Sequence, residues 1–104
     1  GYWEEITHSI SADFANSSTT NGYTYLPNGL ILQWGIASSV SLNSNTTVTL
    51  PTAFPSNIFN IQVTPAHNNA NENVCGGTAI STSQILITNG SGFTASLYWT
   101  AIGN

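Results

Sequence analysis

Phe93-Thr94-Ala95-Ser96-Leu97-Tyr98-Trp99-Thr100-Ala101-Ile102 alternates between two kinds of side chain almost throughout. Phe93, Ala95, Leu97, Trp99 and Ala101 share one face, and Thr94, Ser96, Tyr98 and Thr100 share the other. That is the period-two pattern of a strand with one buried face. Phe93, Leu97 and Trp99 are accordingly expected in the core. Gln84-Ile85-Leu86-Ile87-Thr88 and the turn residues Asn89-Gly90-Ser91-Gly92 come immediately before it, and together they read as a β-hairpin with a four-residue loop.

Working outward, Tyr23-Thr24-Tyr25-Leu26 runs through Pro27-Asn28-Gly29 into Leu30-Ile31-Leu32-Gln33-Trp34-Gly35-Ile36, a second hairpin. Pro presets φ, and Asn-Gly supplies the positive φ of a tight reversal. Ser39–Leu42, Thr46–Leu50 and Ile58–Thr64 supply further short strands. No stretch reads as a helix. The fold class expected is all-β, a small antiparallel β-sandwich of six to seven short strands. Residues 22–104 form that domain. Residues 1–21 read as an N-terminal segment, with the polar run Asn16–Asn21 as a linker. Pro65–Thr78 reads as a long loop, and long loops are either functional or disordered.

Leu30-Ile31-Leu32 and Ile85-Leu86-Ile87 break the alternation. Continuous apolar runs call for burial on both faces. The outer faces of a small sandwich normally meet water, so the first 20 residues or another copy of the chain must cover them, and another copy is the expected cover. Trp34 and Trp99 lie in regular strand patterns and read as core or subunit interface.

Composition narrows the function. The 104 residues contain no Lys or Arg, and the fixed charges are Glu4, Glu5, Asp13 and Glu72, a net charge of −4. Without cations the chain cannot neutralise phosphates, which excludes nucleic acid and attachment to anionic membranes. No apolar stretch approaches the roughly 20 residues of a membrane span. Ser, Thr and Asn make up about two-fifths of the chain, so solubility rests on neutral polar groups. Starting at Gly1 rather than Met, the sequence reads as a processed or excised piece.

Chemistry-bearing clusters are sparse. Cys75, with His67 eight residues earlier, offers a nominal thiol and base, but nothing orients the His. Glu4, Glu5 and Asp13 are too few and too scattered for a glycosidase carboxylate pair. His8 and His67 stand singly, and no cofactor or metal is expected. The chain reads as a non-enzyme.

Three stretches together resemble a known family: Leu26-Pro27-Asn28-Gly29-Leu30-Ile31-Leu32-Gln33-Trp34-Gly35, Thr49-Leu50-Pro51-Thr52-Ala53-Phe54-Pro55, and Tyr98-Trp99-Thr100-Ala101-Ile102-Gly103. In order and spacing they are similar to the C-terminal head domain of tail-fibre proteins from bacteriophages and prophages, over about residues 22 to 104. The resemblance implies a homotrimer at the distal tip of a virion tail fibre, working outside the cell and meeting the bacterial surface with its loops. Residues 1–21 would then link to a shaft or collar.

Loops between strands can vary without disturbing a core, so the receptor contact is expected there. The candidates are His67, Asn68, Asn69, Asn71, Glu72 and Asn73 in the long loop, Asn43 and Asn45 in a second, and Asn89 and Ser91 in a third. Their amides and hydroxyls suit a neutral surface polysaccharide. The competing readings are a structural module that trimerises and caps a fibre, and a secreted cell-surface adhesin module.

Overall fold

The computed structural model describes residues 16–66 and 74–104. Eight antiparallel strands follow in chain order: β1 (Asn16–Ser17), β2 (Gly22–Tyr25), β3 (Ile31–Val40), β4 (Ser44–Thr49), β5 (Ile58–Pro65), β6 (Cys75–Ala79), β7 (Gln84–Asn89) and β8 (Ala95–Gly103). They form a five-stranded sheet, β1-β2-β3-β8-β5, and a three-stranded sheet, β4-β7-β6.

The alternation places the core as expected. Ala95, Leu97, Trp99 and Ala101 of β8 are buried, with Ile31 and Ala37 of β3 beside them. Ile85 and Ile87 face them from β7, and Leu50 and Phe54 close one end. Full burial of side chains this size stabilises by roughly 1.5–3 kcal/mol each. Trp99 lies opposite Gly35 in the β3–β8 ladder. A Cβ at position 35 would sit 2.6 Å from the indole ring, so only glycine leaves the ring room to cross the strand.

The Pro27–Gly29 reversal forms as read. Gly29 takes φ 85°, the Leu26 amide donates to the Leu30 carbonyl at 2.8 Å, and β2 and β3 pair from Tyr25↔Ile31 onward. The other proposed hairpin does not form. β7 belongs to the three-stranded sheet and β8 to the five-stranded one, so residues 90–94 carry the chain between sheets. Phe93 consequently precedes β8 and is only half-buried.

The strand count also differs, for local reasons. The two stretches read around Ile36 and Ser39 are one strand, β3, which absorbs an irregularity between Ala37 and Val40 where Ser39 takes φ 54°. Two strands are additional. Asn16–Ser17, within the run read as a linker, pairs with β2, and the following turn is bonded down to β3. There Trp34 Nε1 donates to the Thr19 carbonyl at 2.9 Å, and the Ile36 amide donates to Asn21 Oδ1 at 3.0 Å. Cys75–Ala79, read as loop, is β6. Its Gly76-Gly77 pair disfavours a strand by propensity, but a Cβ on Gly77 would lie 2.9 Å from methyls of both Ile61 and Val63.

The face of the five-stranded sheet away from the core is partly apolar. Leu32, Trp34 and Ile36 lie on it, paired across β8 with Ile102, Thr100 and Tyr98. Leu32, Ile36 and Ile102 are half-buried, and Tyr98 is 55% exposed. Leu86, between the fully buried Ile85 and Ile87, is half-buried as well.

One polar side chain ties the core together. Gln33 is completely buried, yet its Nε2 donates to the Thr52 carbonyl at 2.7 Å and its Oε1 accepts from the Thr52 amide at 3.1 Å. Replacing Gln33 by Leu keeps the volume and strands both main-chain groups of Thr52. That change should cost about 2–4 kcal/mol, read as a lowered midpoint in urea with an unchanged slope. A cost under 1 kcal/mol would show that water reaches Thr52.

Candidate functional site

β3, β5 and β7 finish, and β4, β6 and β8 begin, at the same end of the molecule. Three connections therefore meet there. The Gly90 amide donates to the Val74 carbonyl at 2.8 Å, and the Asn43 amide donates to the Ser91 carbonyl at 3.2 Å. Ser44, Asn89 and Cys75 lie side by side across the three-stranded sheet. On the other sheet the Ala66 amide donates to the Ser96 carbonyl at 2.9 Å. The 43–46 and 89–92 regions singled out in the sequence thus reach one end of the domain, together with Ala66 and Val74, the described flanks of the third.

The individual side chains divide. Asn43 and Asn45 are exposed, Asn43 with φ 48° at the turn into β4. Asn89 and Ser91 point inward and are buried. Asn89 Nδ2 donates to the carbonyls of Val40 at 2.9 Å and Phe93 at 3.1 Å. Asn89 Oδ1 accepts from the Ser91 amide at 3.0 Å and from the Ser91 hydroxyl. These two residues hold the loop's shape and leave few polar atoms for a ligand. An Asn followed by turn residues is the sequence signal for such a side-chain-to-backbone turn. His67, Asn68, Asn69, Asn71, Glu72 and Asn73 lie outside the described residues, between the bonded ends Ala66 and Val74.

The end surface mixes neutral polar and apolar groups. Leu42, beside Asn43 in the chain, is 51% exposed, and Val74, bonded to Gly90, is 64% exposed. Every charged side chain and both histidines fall outside the described residues, so the described surface carries no side-chain charge at neutral pH. No group of three or more His, Cys, Asp or Glu among the described residues could hold a metal ion. Cys75 is half-buried, its thiol donates to the Val63 carbonyl at 3.4 Å, and burial pushes its pKa up. It is a protonated packing residue rather than a nucleophile.

Solved structures share this architecture. An N-truncated R2-type pyocin tail fibre superposes with a TM-score of 0.78 at 24% identity, covering 88% of this chain and 37% of that one. The C-terminal part of the P. aeruginosa R2 pyocin fibre gives 0.79 at 23%, covering 88% and 26%. An N-truncated R1-type pyocin tail fibre gives 0.68 at 22%, covering 97% and 95%. The chain therefore spans less than two-fifths of the first and about a quarter of the second. No curated protein matches it.

Two antiparallel sheets joined in this order are the fold the chain shares with these structures. The chain belongs to the family described as "Putative tail fiber protein gp53-like, C-terminal", whose model matches residues 25–104. The family is one of tail-fibre proteins.

Asn89→Ala should remove the donor to the Val40 carbonyl and the acceptor of the Ser91 amide and lower stability by about 2–4 kcal/mol. Asn45→Ala should change it by less than about 0.5 kcal/mol. Thermal melts of the pair separate the two roles, and equal melting temperatures would refute the division.

Proposed function

We propose that this chain is the receptor-binding tip of a tail fibre, assembled as a homotrimer, which attaches a phage or phage-like particle to neutral glycans on a bacterial surface. Residues 1–21 would link it to the rest of the fibre. The observation that carries this reading is the meeting of three connections at one end of a tail-fibre domain, on a surface of amides, hydroxyls and apolar side chains. Sugars are read by such groups, because their hydroxyls both donate and accept and their C–H faces are apolar. Lack of Lys and Arg fits a ligand without phosphate.

The trimer is supported by the outer face of the five-stranded sheet. Leu32, Ile36, Tyr98 and Ile102 form an apolar row that the chain leaves uncovered among its described residues. Association of copies there would supply burial that a small domain lacks. It would also present three binding ends together, so that weak contacts with single sugars sum to firm attachment.

Sedimentation equilibrium at micromolar concentration should give about three times the 11.0 kDa chain mass. Attachment of that trimer to susceptible cells should change little between about 20 and 150 mM salt, because no charged pair carries it. The triple variant His67→Ala, Asn69→Ala, Asn71→Ala should remain trimeric and lose attachment. A monomer would refute the assembly. A trimer that never attaches would assign the chain a capping role instead.

A further inference from the structure

A second feature lies on the flank, away from the end where the connections meet. β5 closes one side of the five-stranded sheet and β6 one side of the three-stranded sheet, so two strand edges face each other without a ladder. At Cys75 they touch, through the thiol bond to the Val63 carbonyl. At Gly77 they still touch, the missing side chain making room for Ile61 and Val63. Beyond it they diverge around an open cleft of about 250 Å³, lined by Ile58–Ile61 and Gly77–Ala79.

The sequence prepares this cleft in an unusual way. The β5–β8 register slips between Ile58 and Asn60, because Ile58 pairs with Gly103 and Asn60 with Ile102. Phe59 is the extra residue of the bulge, and its side chain is 57% exposed. Bulges re-aim side chains and recur beside functional sites. Asn60 and Thr78, both exposed, stand on the two lips with an amide and a hydroxyl. The cleft is smaller than the roughly 300–1,000 Å³ of drug-sized pockets, so it suits a single ring rather than an extended ligand.

We infer that this cleft is a second saccharide site, taking one neutral pyranose ring. The apolar face of the sugar stacks on Phe59. Its hydroxyls bond to Asn60, to Thr78 and to main-chain groups on the two unladdered strand edges. A ring with a carboxylate or phosphate gains nothing here, since no cation is present. An apolar peptide could cover Phe59 but would leave the polar lips unused. The inference rests on the reading of the chain as a glycan binder, and adds a grip on the flank to the one at the end.

The test uses the whole chain, labelled with nitrogen-15 and titrated with glucose, galactose, mannose and N-acetylglucosamine. At least one sugar should give saturable shifts centred on residues 58–61 and 77–79, separate from any at the end of the domain. Phe59→Ala should raise the half-saturating concentration about tenfold, Thr78→Val should raise it less, and Phe59→Trp should restore binding. All three variants should keep the parent's mass and melting temperature, since the ring is exposed. Shifts centred elsewhere, or undiminished in Phe59→Ala, would overturn the cleft while leaving the glycan reading intact. Attachment to cells with no shift from any sugar would do the same. Loss of assembly in Phe59→Ala would place the ring in a subunit contact and also overturn it. A parent chain that binds neither cells nor sugars would remove both readings.

Discussion

The buried amide of Gln33 governs how this small domain closes. An amide in apolar surroundings must find partners for its donor and its acceptor, and one residue, Thr52, supplies both. The bond fixes the Pro51–Pro55 turn against the beginning of β3. It thereby sets Phe54, only 1% exposed, over the end of β8, where a Cβ on Gly103 would lie 2.9 Å from its ring. The next residues are bonded to the chain's last: Ser56 and Asn57 both donate to the Asn104 carbonyl, and the Asn104 amide donates back to Asn57. The three stretches that resemble the tail-fibre family, far apart in sequence, are thus parts of one contact.

Much of this fold was legible because burial on one face of a strand writes itself as alternation. Leu97 and Trp99, Ile85 and Ile87, and the Pro27–Gly29 reversal all fell where the pattern put them. Where sequence and structure differ, each difference has its own local cause. β7 and β8 look like a hairpin, but Asn89 turns inward to Val40 and Phe93, and the chain crosses to the other sheet. β6 was hidden because two glycines argue against a strand, while the methyls of Ile61 and Val63 demand one of them. Asn16–Asn21 looked like a linker, since nothing in a polar run announces that it bonds to Trp34 and Ile36.

The candidate site was legible in part. Composition points to neutral hydrogen bonding as the chemistry proposed for it, and turn residues mark the connections. Their meeting at one end is a property of topology, which spacing does not encode. The inward orientation of Asn89 and Ser91 depends on carbonyls contributed by β3. Phe59 escaped notice because an apolar residue next to Ile58 reads as more core; only the slip in register turns it outward.

The two tryptophans of the sheet sit in opposite circumstances. Trp99 Nε1 is buried with no hydrogen-bond partner among the described residues, whereas Trp34 Nε1 is bonded to Thr19 in the strap that follows β1. The molecule therefore carries two built-in spectroscopic reporters. The indole proton of Trp34 exchanges with solvent whenever the strap lifts, a local opening of low free energy. That of Trp99 exchanges only when the sheets part, near the free energy of global unfolding. Loosening of the N-terminal edge and loss of the core can so be timed separately in one unlabelled protein.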